Sequence, residues 1–497
     1  MSSVINNPIP HDTGLPHFLA PLRFVHASDL RLNQTLEGVT QGPQHWEDRM
    51  LDVSLRAAER LFQQTIEEEV DFLILSGNVL DTALSPPGTL LFLLEQFDRL
   101  KKNGIHVYWA GGEQDSPEDW VTGFPLPENV HLFPSNSVQD FYIHRNDPLG
   151  NIAVAKLVGM SRNQQRKRIR SSEFPYDPTE IFTIAVANGD VEPETLSERR
   201  IDYWAMGGNT KRSLFHGNPQ KKPVGNPRQK ADTAEMKRDK KDLPPLPYFV
   251  HYPGAPLART PQDIGNYGAT LVEIPLNEDG TPADEPVLTY FNTSPVRWVN
   301  DQVTLEVTDD GGKLADELRE RLKNYRESQK NEDLFINWFV NVPPGQLAAQ
   351  LRRGGLTSDL LSELRSMYGQ SEPLTWSVSL SVMVPEKLPK PQYEQQTMLG
   401  DYLRSIEHFQ SNPSEMLHLE KYIPNSYDKD VAKTLLLANF AKDEIADAKD
   451  TLPRERWVQT PQQSAIQQSV LSEAALAGLE VLNAHTNVSP QPLLPGD

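Results

Sequence analysis

The run Asp71-Phe72-Leu73-Ile74-Leu75-Ser76-Gly77 reads as a short buried strand that ends in a glycine turn. Stretches with apolar residues at helical spacing lie on either side of it. In residues 46–68 these are Met50, Val53, Leu55, Ala58, Leu61, Phe62 and Ile66, and a second helix is expected at about residues 88–102. Residues 23–27 and 105–110 read as neighbouring strands, the latter closed by Gly111-Gly112. This alternation predicts an α/β or layered α+β domain. Three strand ends then deliver loops to one edge, the usual place for chemistry in such sheets. Further strands are expected at residues 152–158, 181–187, 203–206, 248–252 and 269–274.

A length of 497 residues exceeds one ordinary core and predicts two or three domains. With 48 Lys+Arg against 68 Asp+Glu, the net charge of -20 repels nucleic acid unless basic residues gather on one face or a partner supplies them. The chain has no cysteine, which removes disulfides, thiolate metal sites and cysteine nucleophiles together. The proline-bearing residues 1–21 are expected to form a flexible tail and not a signal peptide. No stretch approaches the roughly 18 apolar residues of a membrane helix, so the expected setting is the cytoplasm, with no membrane partner.

Residues 22–293 are expected to form the first domain. Residues 215–247 are a Pro-rich basic insertion carrying Lys221, Lys222, Arg228, Lys230, Lys237, Arg238, Lys240 and Lys241. A second basic cluster spans residues 162–170, and both read as solvated loops, since no aromatics are interleaved for base stacking. After Ser294 the texture changes. Strands at 298–307, 334–342 and 375–382 and helices at 313–325 and 347–367 predict a small α+β domain over residues 294–390. Residues 391–485 are expected to be helical, with Met398, Leu399, Tyr402, Leu403 and Ile406 on one face, and 486–497 to be a tail.

Five segments, in order and spacing, resemble the motifs of calcineurin-like metallophosphoesterases, most of all the SbcD/YhaO branch of DNA-repair exonucleases. They are Ser28-Asp29-Leu30-Arg31-Leu32, Val70 to Asp81, Gly112-Glu113-Gln114-Asp115-Ser116-Pro117, Tyr203 to Lys211, and Tyr252-Pro253-Gly254-Ala255-Pro256. Ser294-Pro295-Val296-Arg297-Trp298-Val299 resembles the junction between catalytic and capping domains in that branch. The resemblance covers about residues 22–382. It implies an α/β fold: a four-layer β-sandwich with flanking helices, a small α+β cap and a helical C-terminal region.

The resemblance also implies two metal ions on a shared carboxylate, activating a water against a phosphodiester. Of the ligand positions only Asp29 keeps its expected identity. Arg31 stands where the family has a histidine, and a guanidinium has no lone pair for a metal. Asn78 replaces the bridging aspartate and Glu113 a ligand asparagine. Gln114, in place of the catalytic histidine, cannot give up a proton to a leaving group. Asn188, Gly208 and Thr210 fall on further histidines, while the outer acids Asp81 and Asp115 remain. Two readings of Arg31 stay open: pairing with Asp29 or Glu113, or binding a phosphate together with Lys211 or Arg212. His26 reads as a packed or hydrogen-bonded core residue, and the offsets of His216 and His251 match no ligand position.

The expectation is a catalytically degenerate subunit with no cofactor. It would sit in a DNA-repair-type complex, and the resemblance alone implies an SMC-like coiled-coil ATPase and DNA as partners. Two alternatives are an active nuclease or phosphoesterase with a remodelled site, and a scaffold with no nucleic-acid role. The first of these could use a mononuclear Mg or Mn ion on Asp29, Asn78, Glu113 and Asn188.

Overall fold

The computed structural model describes residues 20–39, 50–121, 123–147, 150–162, 169–175, 181–193, 199–217, 248–278, 281–283, 285–306, 309–343, 346–383 and 396–411, with single positions 42, 46, 196 and 394. Two compact units emerge. One holds residues 1–299, 329–335 and 371–374, the other 300–328, 336–370 and 375–497.

The first unit is a sandwich of two six-stranded sheets. Four strands of the first sheet run parallel: β1 (Leu22–Ala27), β2 (Phe72–Leu75), β3 (His106–Ala110) and β4 (Val130–Phe133). The second sheet contains β5 (Gln139–Asp147), β6 (Gly150–Met160), β7 (Thr183–Asn188), β8 (Tyr203–Gly207), β9 (Ser213–Gly217) and β10 (Tyr248–Tyr252). Strands β11 (Gly268–Ile274) and β12 (Val287–Asn292) complete the first sheet, antiparallel beyond β1. The four parallel strands β6, β7, β8 and β10 face β1 to β4 across a core that includes Phe24, Phe72, Tyr108, Leu157, Ile184 and Phe249. Phe24 and Phe72 stack at 5.0 Å.

Helices α1 (Val53–Glu67) and α2 (Pro87–Lys102) cover the outer face of the first sheet. In α1 the buried residues Val53, Ala57, Ala58, Leu61, Phe62 and Thr65 form one helical stripe, which Leu73, Leu75 and Val107 meet from the sheet. Pro87 fits the first turn of α2, where its missing N–H is no loss, and Arg99, Lys101 and Lys102 favour its negative C-terminal end. The outer face of the second sheet is covered by Phe174, Leu196 and Ile201. The mixed α/β sandwich is consistent with the calcineurin-like fold that the motifs imply.

The second unit contains helices α3 (Gly311–Ser328), α4 (Gln346–Arg352) and α5 (Gly355–Tyr368). Strands β13 (Val296–Thr304), β14 (Asp333–Asn341) and β15 (Thr375–Met383) form a three-stranded sheet in that order. The indole N–H of the buried Trp338 donates to Ser377 Oγ at 3.0 Å. Ser377→Ala would leave that donor without an acceptor, so urea unfolding should show a loss of about 1–2 kcal/mol. Helix α6 (Met398–Ser411) follows. Among the described residues no helix is long and apolar enough to cross a membrane.

Several expected elements need correction. The helix expected over 347–367 is two, because Gly354 adopts φ 86° between them. A turn at Asp52 separates the helix Val53–Glu67 from helical residues 50–51, and residues 47–49 lie outside the described residues. Residues 215–217 are not loop: Phe215 pairs with Val250 and His216 with Phe249 in β9, so the basic insertion starts later. Strands β4, β5, β9 and β12 were not expected. Most of the 1–21 tail, the insertion from 218 to 247, residues 163–168 of the second basic cluster, the C-terminal region beyond 411 and the 486–497 tail lie outside the described residues.

Candidate functional site

Six strand ends converge on one place. Beyond β1 and β2 the parallel pairing continues through the loops: Asp29 N–H donates to Gly77 O at 2.9 Å, Arg31 N–H to Asn78 O at 3.0 Å and Leu32 N–H to Val79 O at 3.0 Å. The turns need left-handed backbone, with φ of 55° at Asp29, 47° at Arg31, 56° at Asn78 and 88° at Gly77. Three of these are not glycine, a costly conformation that persists only where surrounding contacts enforce it. Opposite them, β8 ends at Gly207, where an added Cβ would lie 1.7 Å from Ser76 O. The backbones of the two sheets therefore touch beneath the site.

Asp29 is fully buried, and protein donors occupy both its oxygens. Oδ1 accepts from Arg31 Nη2 at 3.2 Å and from Asn78 Nδ2 at 2.9 Å, and Oδ2 accepts from Gly208 N–H at 2.9 Å. Arg31 thus pairs with Asp29. Glu113, mostly exposed, pairs with Arg162 at 3.4 Å, while its backbone N–H donates to Asn78 Oδ1 at 3.0 Å. Asn188 donates to Ser76 O at 2.7 Å. The buried Asn188 Oδ1 and Gln114 Oε1 have no hydrogen-bond partner.

The outer acids hold loops. Asp115 accepts from Asn78 N–H at 2.8 Å, Val79 N–H at 2.9 Å, Gly112 N–H at 2.6 Å and the Trp109 indole at 3.0 Å. Burial pushes its carboxyl up to about 6 against the downward pull of these four donors. Asp81 Oδ1 accepts from Ala83 and Leu84 N–H, each at 3.0 Å, and so closes a turn.

The sequence gives no sign of Arg259; His26 is the hydrogen-bonded core residue expected, though its link through Tyr203 to His251 is not foreseen. Arg259 is buried and donates to Leu30 O at 2.7 Å and Arg31 O at 3.1 Å, bracing the first loop from a segment 229 residues away. Burial, then the charge of Arg31, brings its guanidinium down to about 10. Below the site, His26 contacts Ser76 Oγ at 2.9 Å and Tyr203 OH at 3.2 Å, and Tyr203 OH contacts His251 Nδ1 at 2.6 Å. Burial, then His251, holds His26 well below the usual histidine range; burial, then the charge of Arg212, brings His251 to about 3. No local sequence signal marks Arg259, because its role depends on two carbonyls distant in the chain.

The residues present do not fit a dinuclear centre. A bridging carboxylate is missing, Asn78 Oδ1 is occupied by an N–H, and the buried Asp29 carboxylate faces a guanidinium and two further donors, which would repel a cation. Among the described residues no group of three or more His, Cys, Asp or Glu side chains is placed to hold a metal ion.

Arg31→Ala would leave Asp29 with two neutral donors. The guanidinium is 29% exposed, so screening reduces the penalty, and chemical denaturation should show a loss of about 1–2 kcal/mol.

No protein-family model matches the chain. It is 27% identical over 210 residues to the "Uncharacterized metallophosphoesterase YhaO" of Bacillus subtilis (strain 168), covering 40% of this chain and 50% of that protein. The match thus spans half of the relative's length. It supports distant kinship with the metallophosphoesterases.

Proposed function

We propose that this chain is a metallophosphoesterase-like protein that does not hydrolyse phosphodiesters. The observation that carries the reading is the set of partners on Asp29, where the Arg31 guanidinium, the Asn78 amide and the Gly208 N–H take the places around a carboxylate that a cation would need. The charge of Arg31 balances the buried acid within the protein itself. Gln114 offers no proton to a leaving group. Protein incubated with Mn²⁺ and desalted should retain much less than one equivalent of metal and turn over neither single-stranded DNA nor a chromogenic phosphodiester. Stoichiometric Mn²⁺ together with turnover abolished by Asp29→Ala would overturn the reading in favour of a remodelled metal-dependent nuclease.

The same proposal makes the chain a non-hydrolytic subunit of a DNA-repair-type complex, beside an SMC-like coiled-coil ATPase in the cytoplasm. Its support is the resemblance of the five motifs and of the domain junction to the exonuclease branch. Co-elution with such an ATPase from the same organism on size exclusion tests the partner. Salt-dependent DNA binding that weakens on deleting 218–247 would count against a scaffold without a nucleic-acid role.

A further inference from the structure

Two histidines meet where β3 and β4 begin, at the opposite end of the parallel strands from Asp29. His106 Nδ1 lies 3.0 Å from His131 Nε2. We infer that this pair binds one late first-row divalent transition-metal ion, of the copper, nickel and zinc class, at a site separate from the candidate functional site.

The strands bring the two rings together. Parallel pairing sets His131 opposite Tyr108, and His106 precedes Tyr108 by two residues, so the three side chains share one face of the first sheet. His131 is clamped there, with the Tyr108 ring 4.9 Å away at 20° and Phe141 of β5 5.0 Å away at 45°. His106 is exposed. One ligand is therefore held in place, and the other can turn its ring to complete a site without disturbing the core.

The spacing suits one ion. An imidazole nitrogen binds zinc at about 2.0–2.1 Å, so two such nitrogens stand about 2.9 Å apart at a right angle and about 3.3 Å apart at the tetrahedral angle. The observed 3.0 Å falls between these. In the metal-free pair the rings are nearly parallel, at 11°, and one N–H bridges the two nitrogens, because each neutral imidazole has one donor and one acceptor. When that proton shifts to the outer nitrogen of its own ring, both lone pairs face the ion and the rings keep their total charge.

The donor set selects the class of ion. Imidazole suits copper, nickel and zinc, whereas magnesium and manganese prefer carboxylate and water oxygens. Burial, then the charge of His106, holds His131 below the usual histidine range, which keeps its lone pair available. The net charge of -20 adds a general attraction for cations. Among the described residues no third His, Cys, Asp or Glu side chain is placed to join the pair, so water fills the remaining positions.

Calorimetric titration of the untagged full-length protein with Cu²⁺, Ni²⁺, Zn²⁺ and Mn²⁺, at about pH 7.5 where histidine is neutral, tests this. Expected is Cu²⁺ binding at about 10 µM or tighter, with Ni²⁺ and Zn²⁺ about ten-fold weaker and Mn²⁺ weaker than about 1 mM. His106→Gln changes an exposed side chain and should abolish one equivalent of Cu²⁺ binding without moving the Tm of the metal-free protein; His131→Gln should abolish the same equivalent. Electron paramagnetic resonance of the Cu²⁺-loaded protein should show splitting from two imidazole nitrogens. Cu²⁺ binding unaltered by His106→Gln, a copper spectrum without imidazole nitrogen, or Mn²⁺ bound as tightly as Ni²⁺ and lost in His106→Gln would overturn the assignment. Since this site is read through Cu²⁺ and His106→Gln and the non-hydrolytic reading through Mn²⁺, turnover and Asp29→Ala, the two fail separately.

Discussion

Asp115→Ala should lower the stability of the first unit by about 4 kcal/mol or more. Four buried donors share this carboxylate: the backbone N–H groups of Asn78, Val79 and Gly112 and the Trp109 indole. Each donor left without an acceptor costs about 1–3 kcal/mol, and water entering the space can recover only part of the sum. The contacts also join the loops after β2 and β3, so the damage should extend to the turn that carries Asn78. Asp115→Asn keeps one acceptor oxygen but turns an NH₂ towards the remaining donors, and should lose about half as much. Urea unfolding followed by tryptophan fluorescence measures both. A loss below about 1 kcal/mol for the alanine variant would mean that the acid does not hold these loops.

Acid should destabilise the protein by a similar amount. An unfolded histidine takes up its proton near 6.5, whereas burial and Arg212 hold His251 at about 3 and burial holds His26 well below 6.5. Between those values the unfolded chain binds more protons than the folded one, so stability falls as pH falls through that window. His251 alone accounts for about 5 kcal/mol across it. Asp115 acts in the opposite sense. Its folded value of about 6 lies above the unfolded 3.8, so it contributes about 3 kcal/mol that is present at low pH and lost as pH rises through about 6. With two histidines against one acid, the histidines prevail. The unfolding free energy should be highest above pH 7 and drop steeply towards pH 5, and His251→Gln should flatten the slope by about one proton. A flat profile between pH 7.5 and 5 would contradict this.

The parts of the fold that could be read from the sequence are those buried on both faces. Strand β2 and its glycine turn stand out because four successive apolar residues can be accommodated only inside a layered sheet. The edge strands β9 and β12 have burial patterns that mix exposed and half-buried positions, and leave no alternation to detect. In the site, the loss of ligand types at Arg31, Asn78 and Gln114 is readable from the motifs. What replaces them is not. The partners of Asp29 include Gly208, 179 residues away, and Arg259 reaches the first loop from farther still, 229 residues away. Asp81 and Asp115 illustrate the same limit: the motif marks both as acids near a metal, and only the packed chain has them as acceptors for backbone loops.

The backbone contact between Gly207 and Ser76 has a mechanical consequence. Where side chains separate the sheets, the interior can yield by rotamer change and by closing small voids. Where two backbones touch with no space for a single carbon, nothing is left to compress. Under hydrostatic pressure the sandwich should deform first towards its ring-filled middle, while the end that carries the site stays rigid.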